Sequence, residues 1–203
     1  MNNPNPNETI KLPKPVLKSD VSVEEALKNR RSVREYKNKP LSLKDISQIL
    51  WACQGITGDG KRTAPSAGAL YALEIYIAAG EANELDKGVY HYLPESHSLE
   101  KIKDRDIRKE LGTAAYGQEW VSQAPASLVI TGIYKRITQK YRARGKQYTH
   151  LEAGHAAQNV YLQAYSLNIG TVFVGAFTDS RVQQILGVPK DHVPFAIMPL
   201  GYK

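Results

Sequence analysis

Residues 151–168 restrict the fold of this chain more than any other stretch. Ala153, Ala156, Ala157, Val160, Ala164 and Leu167 recur at the three- and four-residue spacing of one helical face. Small side chains dominate that stripe, so a second helix can approach it closely. Gly170 is expected to end the helix. Ser22-Val-Glu-Glu25 reads as a capping box starting a helix over 23–30, and Ser42 caps a helix with Leu43, Ile46, Leu50 and Cys53 on one face. Further helices are predicted at 105–112, 134–143 and 179–186, and strands at 73–79, 89–93, 127–131, 171–174 and 194–200. Helices and strands interleave without a regular strand–helix–strand rhythm, which predicts an α+β fold. One domain over 19–203 follows. Before it lies an arm, residues 1–18, where Pro4, Pro6, Pro13 and Pro15 oppose helix. That arm is expected to be poorly structured or to wrap a partner.

Charge narrows the ligand. The 203-residue chain carries a formal net charge of +7, yet its basic residues form no single block of the kind a polynucleotide needs. Arg30, Arg31 and Arg34 make one local cluster, suited to a phosphate. Lys135, Arg136, Lys140, Arg142, Arg144 and Lys146 make a second, which a solvated helix face explains equally well. An anionic small-molecule cofactor accounts for the charge more economically than nucleic acid does. No apolar run approaches the roughly 18 residues of a membrane span, and 1–15 lack the apolar region of a signal peptide. A cytoplasmic address is the expectation. Cys53 is the single cysteine, which excludes an intramolecular disulfide, a CxxC pair and a cysteine-based zinc site. Its place on an apolar stripe marks it as a small buried hydrophobe.

Four familiar motifs fail. Gly55-Ile-Thr-Gly-Asp-Gly60-Lys61-Arg62 misses a P-loop, because Arg62 stands where a hydroxyl must ligate magnesium and a helix, not a strand, precedes it. His150 and His155, five residues apart, fall far apart around a helix, and no metal site is predicted. No GxSxG elbow occurs, and no GxGxxG follows a strand.

Four weaker pieces remain. Arg30-Arg31-Ser32-Val33-Arg34 sits where a helix ends and the chain turns extended. Its three guanidiniums and a hydroxyl offer charge-assisted bonds to a phosphate dianion. If the segment is extended, alternation would aim Ser32 and Arg34 at one ligand while Val33 packs inward. A solvated helix end whose cations complement the dipole is the ordinary alternative. Thr63-Ala-Pro-Ser-Ala-Gly-Ala-Leu-Tyr71 either lets backbone approach a flat ligand or makes a tight loop before a strand. Val172-Phe-Val-Gly-Ala-Phe177 is a strand running into a glycine turn, and Met198-Pro-Leu-Gly-Tyr-Lys203 is the last piece.

In this order RRSVR, APSAGALY, HLEAGHAAQNVYLQAY, VGAF and PLGYK resemble the successive signatures of the nitroreductase superfamily. APSAGALY followed by Glu74, Tyr76 and GVYHY is most similar to the SagB-type, azoline-dehydrogenase-like branch. The resemblance implies a nitroreductase-like fold, a central and mostly antiparallel sheet flanked by helices. It also implies a two-fold homodimer with FMN in clefts at the interface, built on the Ala-rich face of 151–168. Arg30, Arg31 and Ser32 would hold the FMN phosphate, Lys203 would add to that site, and Arg34 would reach the ribityl chain or the pyrimidine edge. Pro65, Ser66, Ala67 and Gly68 of the other subunit would cover the isoalloxazine. Val174, Gly175 and Ala176 match the turn whose backbone N–H points at flavin N5. Ala69 stands where many nitroreductases place an Asn that bonds the ring.

The resemblance further implies a ping-pong oxidoreductase. NAD(P)H would reduce the flavin, leave, and be replaced by a small electron acceptor such as a nitroaromatic or a quinone. Arg34 is the candidate for stabilising the reduced ring. The alternative is oxidation of azoline rings in peptides. There Lys140-Tyr141, ahead of Arg144-Gly145-Lys-Gln-Tyr148, matches a Lys-Tyr pair of the SagB-type branch, with Lys140 as the base. A non-catalytic flavin- or nucleic-acid-binding module is the third reading.

Overall fold

A computed structural model describes residues 9–203; residues 1–8, the start of the expected arm, lie outside the described residues. The main sheet has seven strands: β1 (Thr9–Lys11), β2 (Leu73–Ala79), β3 (Gly88–Leu93), β4 (Ser98–Lys103), β5 (Ala126–Gly132), β6 (Ile169–Thr171) and β7 (Val193–Tyr202). They lie in the order β1-β4-β3-β2-β5-β7-β6, every neighbouring pair antiparallel. Around it stand α1 (Val23–Asn29), α2 (Leu43–Gln54), α3 (Arg108–Ala114), α4 (Glu119–Gln123), α5 (Tyr134–Tyr141), α6 (Arg144–Ser166) and α7 (Asp179–Leu186). A short parallel pair joins Leu41–Ser42 to Ala82–Asn83, and a short antiparallel pair joins Ile56–Gly58 to Lys61–Arg62. The fold is the expected α+β arrangement.

Alternation along β2 divides the core. Leu73, Ile75 and Ile77 pack with Ile46 and Leu50 of α2 and with Ala156 and Val160 of α6. Tyr76 and Ala78 face the other way, toward Leu111, Val121 and Val182 of α3, α4 and α7. Helices therefore cover both faces of the sheet. The small-residue stripe Ala153, Ala156, Ala157 and Ala164 is buried inside this chain, and α2 is the helix that approaches it. That corrects the expectation that the stripe forms the interface between two copies.

Ser22 and Ser42 act as the caps their sequences suggest: Ser22 Oγ accepts from Glu25 N at 3.1 Å and Ser42 Oγ from Asp45 N at 3.0 Å. Several boundaries differ from expectation. α6 begins at Arg144, because Gly145 seats against α5, where a Cβ would lie 2.7 Å from Thr138 N. Asn168, with a φ of 56°, turns the chain out of the helix, and Gly170 lies inside β6. Residues 171–174 hold only the end of β6 and a single bridge between Val174 and Ile197. β4 and α4 were not predicted: β4 carries mostly polar residues and α4 is only 5 residues long. In the arm, β1 pairs with β4, Leu12 is buried, and Gln48 bonds the Val16 backbone at 2.7 and 3.0 Å. Among the described residues no helix is long and apolar enough to cross a membrane.

Candidate active site

α1 ends at Arg30, whose N–H donates to Ala26 O at 2.9 Å and whose ψ of 128° sends the chain out extended. Residues 31–34 run along the sheet edge beside β6, where Val33 N–H donates to Thr171 O at 2.9 Å. Gly170 permits that approach, since a Cβ there would lie 2.5 Å from Val33 Cγ1. Val33 packs inward while Ser32 and Arg34 are exposed, as strand alternation requires. Arg30, Arg31 and Lys203 meet Tyr161 and Tyr165 of α6 around a cavity of about 170 Å³. All its charged lining residues are cations. Lys203 is held there by its N–H, which donates to Asn168 O at 3.2 Å. The Arg30 guanidinium lies 5.0 Å from the Tyr161 ring centre, and Lys203 Nζ 4.8 Å from that of Tyr165.

Ser32 and Arg34 sit outside this cavity's lining. Ser32 Oγ is 3.2 Å from Tyr161 Oη, and the Arg34 guanidinium lies 5.4 Å over the Trp120 ring of α4. Tyr161 also accepts a bond from Phe173 N–H at 2.7 Å, so it ties the arginine segment to the turn at 174–176. There Val174 is buried, Gly175 and Ala176 are exposed, and Ala176 O accepts from Gln118 Nε2 at 3.0 Å. Tyr161 lies within HLEAGHAAQNVYLQAY, but the sequence assigns it no role in the site. Its one sequence signal is the four-residue spacing to Tyr165, which puts both rings on one side of α6.

Pro65–Tyr71 folds as a tight loop. Gly68, Ala69 and Tyr71 take left-handed φ values of 62°, 54° and 47°, a conformation that costs a side-chain-bearing residue about 1 kcal/mol or more. Three contacts hold it. Ser66 Oγ accepts from Tyr71 N–H at 2.9 Å and lies 2.6 Å from Glu152 Oε2 of α6, and Arg136 Nη1 donates to Tyr71 O at 2.9 Å. Arg136 also pairs with Glu74, whose other oxygen lies 2.6 Å from His91 Nε2. Burial pushes the Glu74 carboxyl up, but His91 and Arg136 outweigh it and hold the group below the usual carboxylate range. Arg136 is thus a structural brace and not one more cation of a solvated face. Lys140 and Tyr141, at the end of α5, lie over the loop: a Cβ on Gly68 would be 2.8 Å from Tyr141 Oη and 3.1 Å from Lys140 Nζ.

The two groups occupy different sides of α6. Glu152, behind the loop, and Tyr161, beside the arginines, are nine residues apart. At 1.5 Å and 100° per residue that is roughly 13 Å along the helix and about 180° around it. Among the described residues no hydrogen bond joins 30–34 to 65–69.

A protein of Methanocaldococcus jannaschii, provisionally described as a nitroreductase, is 45% identical over 185 residues, 91% of this chain and 92% of that protein. The microcin B17-processing protein McbC of Escherichia coli is 29% identical over 159 residues. That match takes in 75% of this chain but 58% of McbC, so the chain spans little more than half of that relative. A crystal structure from Ralstonia eutropha, also provisionally described as a nitroreductase, superimposes with a TM-score of 0.84 at 29% identity, covering 96% of this chain and 89% of that one. Residues 27–202 match the nitroreductase family, a stretch that contains the arginine segment, the 65–71 loop, the Lys140-Tyr141 pair and the 174–176 turn. Sequence and sheet topology agree, and the chain belongs to the nitroreductase family of oxidoreductases.

Proposed function

We propose that this chain is an FMN-dependent oxidoreductase that draws on NAD(P)H and reduces a small electrophile, such as a nitroaromatic or a quinone, in a ping-pong scheme. The observation that carries this reading is the cavity of about 170 Å³ where Arg30, Arg31 and Lys203 converge and no acidic residue lines the wall, Glu25 reaching only Tyr165 Oη behind it at 3.1 Å. Three cations from the two ends of the domain, gathered round a space of that size, fit a phosphate dianion. Bound FMN would supply a two-electron carrier that the side chains lack. Arg30, Arg31 and Lys203 would bind its phosphate, with Ser32 beside them. Arg34 would place positive charge at the ring, and the backbone of Gly175 and Ala176 would offer N–H donors beside Val174, whose own N–H is spent on Ile197 O at 2.9 Å. Pro65, Ser66, Ala67 and Gly68 would cover the ring and exclude water. Because the arginine segment and that loop flank opposite sides of α6, the loop would come from a second copy, giving a homodimer with two clefts. The test is the absorbance spectrum of the purified protein, followed by heat release of the chromophore and anaerobic addition of NADH or NADPH. Yellow protein that yields FMN and is bleached by a reduced nicotinamide is expected. Colourless protein that cannot be reconstituted with FMN refutes the reading.

A second reading has its own observation, the approach of Lys140 Nζ and Tyr141 Oη to Gly68. Azoline oxidation removes a carbon-bound proton and so needs a base near the ring, whereas nitro or quinone reduction does not. The relative McbC, named for microcin processing, points the same way. Under this reading Lys140→Ala abolishes oxidation of a heterocyclised peptide and leaves NAD(P)H-driven nitro reduction unchanged. Equal loss of both activities with FMN still bound removes Lys140 from the role of base.

A further inference from the structure

Ser66 Oγ has two close polar neighbours, Tyr71 N at 2.9 Å and Glu152 Oε2 at 2.6 Å. A hydroxyl has one proton and two lone pairs, and the Tyr71 N–H occupies one lone pair. The contact to Glu152 can run in either direction. An ionised Glu152 takes the Ser66 proton inward, leaving the hydroxyl nothing to offer outside. A protonated Glu152 donates to the second lone pair, and the Ser66 proton must then point away from both partners.

The surroundings of Glu152 decide between these states. The residue is 1% exposed, and its Oε1 has no hydrogen-bond partner. Arg62, on the strand before the loop, is the nearby charge; its Nη1 and Nη2 donate to Gln54 at 3.2 Å and Glu95 at 2.9 Å, its buried Nε has no hydrogen-bond partner, and it makes no salt bridge to Glu152. The amides of Ala72 and Leu73 face the carboxyl from the start of β2, and Lys140 Nζ and Tyr141 Oη lie over Gly68. A buried carboxylate with one oxygen unpartnered and no salt bridge is disfavoured in an interior. Burial accordingly pushes the Glu152 carboxyl above its usual range, opposed only in part by Ser66, Arg62 and the two amides.

Resting on the flavin reading above, we infer that Glu152 is a positioning residue: protonated, it donates to Ser66 Oγ and turns the Ser66 hydroxyl outward as a hydrogen-bond donor to the flavin ring. Ser66 is half-buried and belongs to the segment assigned over that ring. Its hydroxyl supplies the donor that Ala69, with no side-chain amide, cannot.

Glu152→Gln and Ser66→Ala test this. A glutamine amide N–H donates to Ser66 Oγ as the acid does, so Glu152→Gln is expected to keep FMN affinity and flavin reduction potential close to wild type. Ser66→Ala loses the outward donor, weakening FMN by roughly 3- to 10-fold and shifting the potential. A second readout needs no flavin. Infrared spectra of the apoprotein at neutral pH should show the carbonyl band of a protonated carboxylic acid that Glu152→Gln removes. Ser66→Ala should shift that band, because the acid loses its acceptor; this arm serves even where Glu152→Gln does not fold. No such band in wild type, or a folded Glu152→Gln protein that loses FMN as Ser66→Ala does, overturns the inference. Failure of wild type to take up FMN overturns the flavin reading and this role with it, a result told apart by persistence of the band.

Discussion

Replacing Arg30 by alanine removes one of three cations from the proposed phosphate cavity while touching little else. Its guanidinium lines that cavity and stacks on Tyr161 at 5.0 Å from the ring centre. A hydrogen bond to a charged group contributes about 1.5–3 kcal/mol. At about 1.4 kcal/mol per tenfold, that predicts a rise in the Kd for FMN of roughly 10- to 150-fold. Losing the ring contact costs the fold about 0.5–1 kcal/mol, so the variant should remain folded. Lys135→Ala is the control, an exposed cation on the same chain with no expected effect on the flavin. Arg136 cannot serve, because it braces Tyr71 O and Glu74. The assay is fluorescence titration of apoprotein with FMN and, separately, with riboflavin, which has the same ring and no phosphate. Arg30→Ala should weaken FMN and leave riboflavin nearly untouched. Equal weakening of both ligands, or FMN affinity equal to that of Lys135→Ala, refutes the phosphate assignment.

Gly170→Ala puts a Cβ 2.5 Å from Val33 Cγ1 and 3.3 Å from Lys203 Cγ. It should lower stability by about 1–3 kcal/mol through overpacking and weaken FMN more than riboflavin, as read by urea unfolding and titration. Glu74→Gln breaks a pair held by His91 and Arg136, so wild type should be more stable by about 1–3 kcal/mol at neutral pH. Because the folded-state pKa is lowered from 4.5, that advantage should be complete above 4.5 and vanish as pH falls through the lowered value; an advantage unchanged in acid would exclude the ion pair as its source. Cys53 is fully buried and burial pushes its thiol up, so a thiol reagent should modify denatured but not native protein; rapid native labelling would contradict the packing.

What could be read from sequence follows from how far each signal reaches along the chain. The caps at Ser22 and Ser42 and the Ala153-to-Ala164 stripe are local patterns, and they form the elements they suggest. β4 was hidden because Ser98-Leu-Glu-Lys-Ile-Lys has two apolar residues and draws its order from pairing with β1 and β3. Gly170 looked like a helix stop, yet its reason is the distant Val33, a contact no neighbouring residue announces. The arginine segment was visible as a cluster, but Lys203 joins it only through the sheet edge, and Tyr161 only through the rotation of α6. Glu152 was invisible for the opposite reason. A polar residue beside an apolar helical stripe is ordinary, and only its burial against Ser66 sets it apart.

The geometry of α6 makes one further demand that can be tested without a structure of the assembly. Glu152 and Tyr161 flank the buried stripe on its two sides, so in one chain the ring-covering loop and the phosphate cavity face away from each other. If each cleft combines the cavity of one copy with the loop of the other, two defective chains should complement. One chain carries Arg30→Ala and Arg31→Ala. The other carries Gly68→Val, a β-branched residue forced to a φ of 62° with its Cβ 2.8 Å from Tyr141 Oη. Each homodimer should bind FMN poorly. In the mixed dimer one cleft collects both lesions and the other collects none, so one FMN per dimer should bind with wild-type affinity. Were both segments of each site drawn from the same chain, every cleft would keep a lesion and the mixed dimer would bind no better than its parents. Purifying the mixed species by two different tags and counting flavin by absorbance separates the outcomes, and absence of the single tight site refutes the shared cleft.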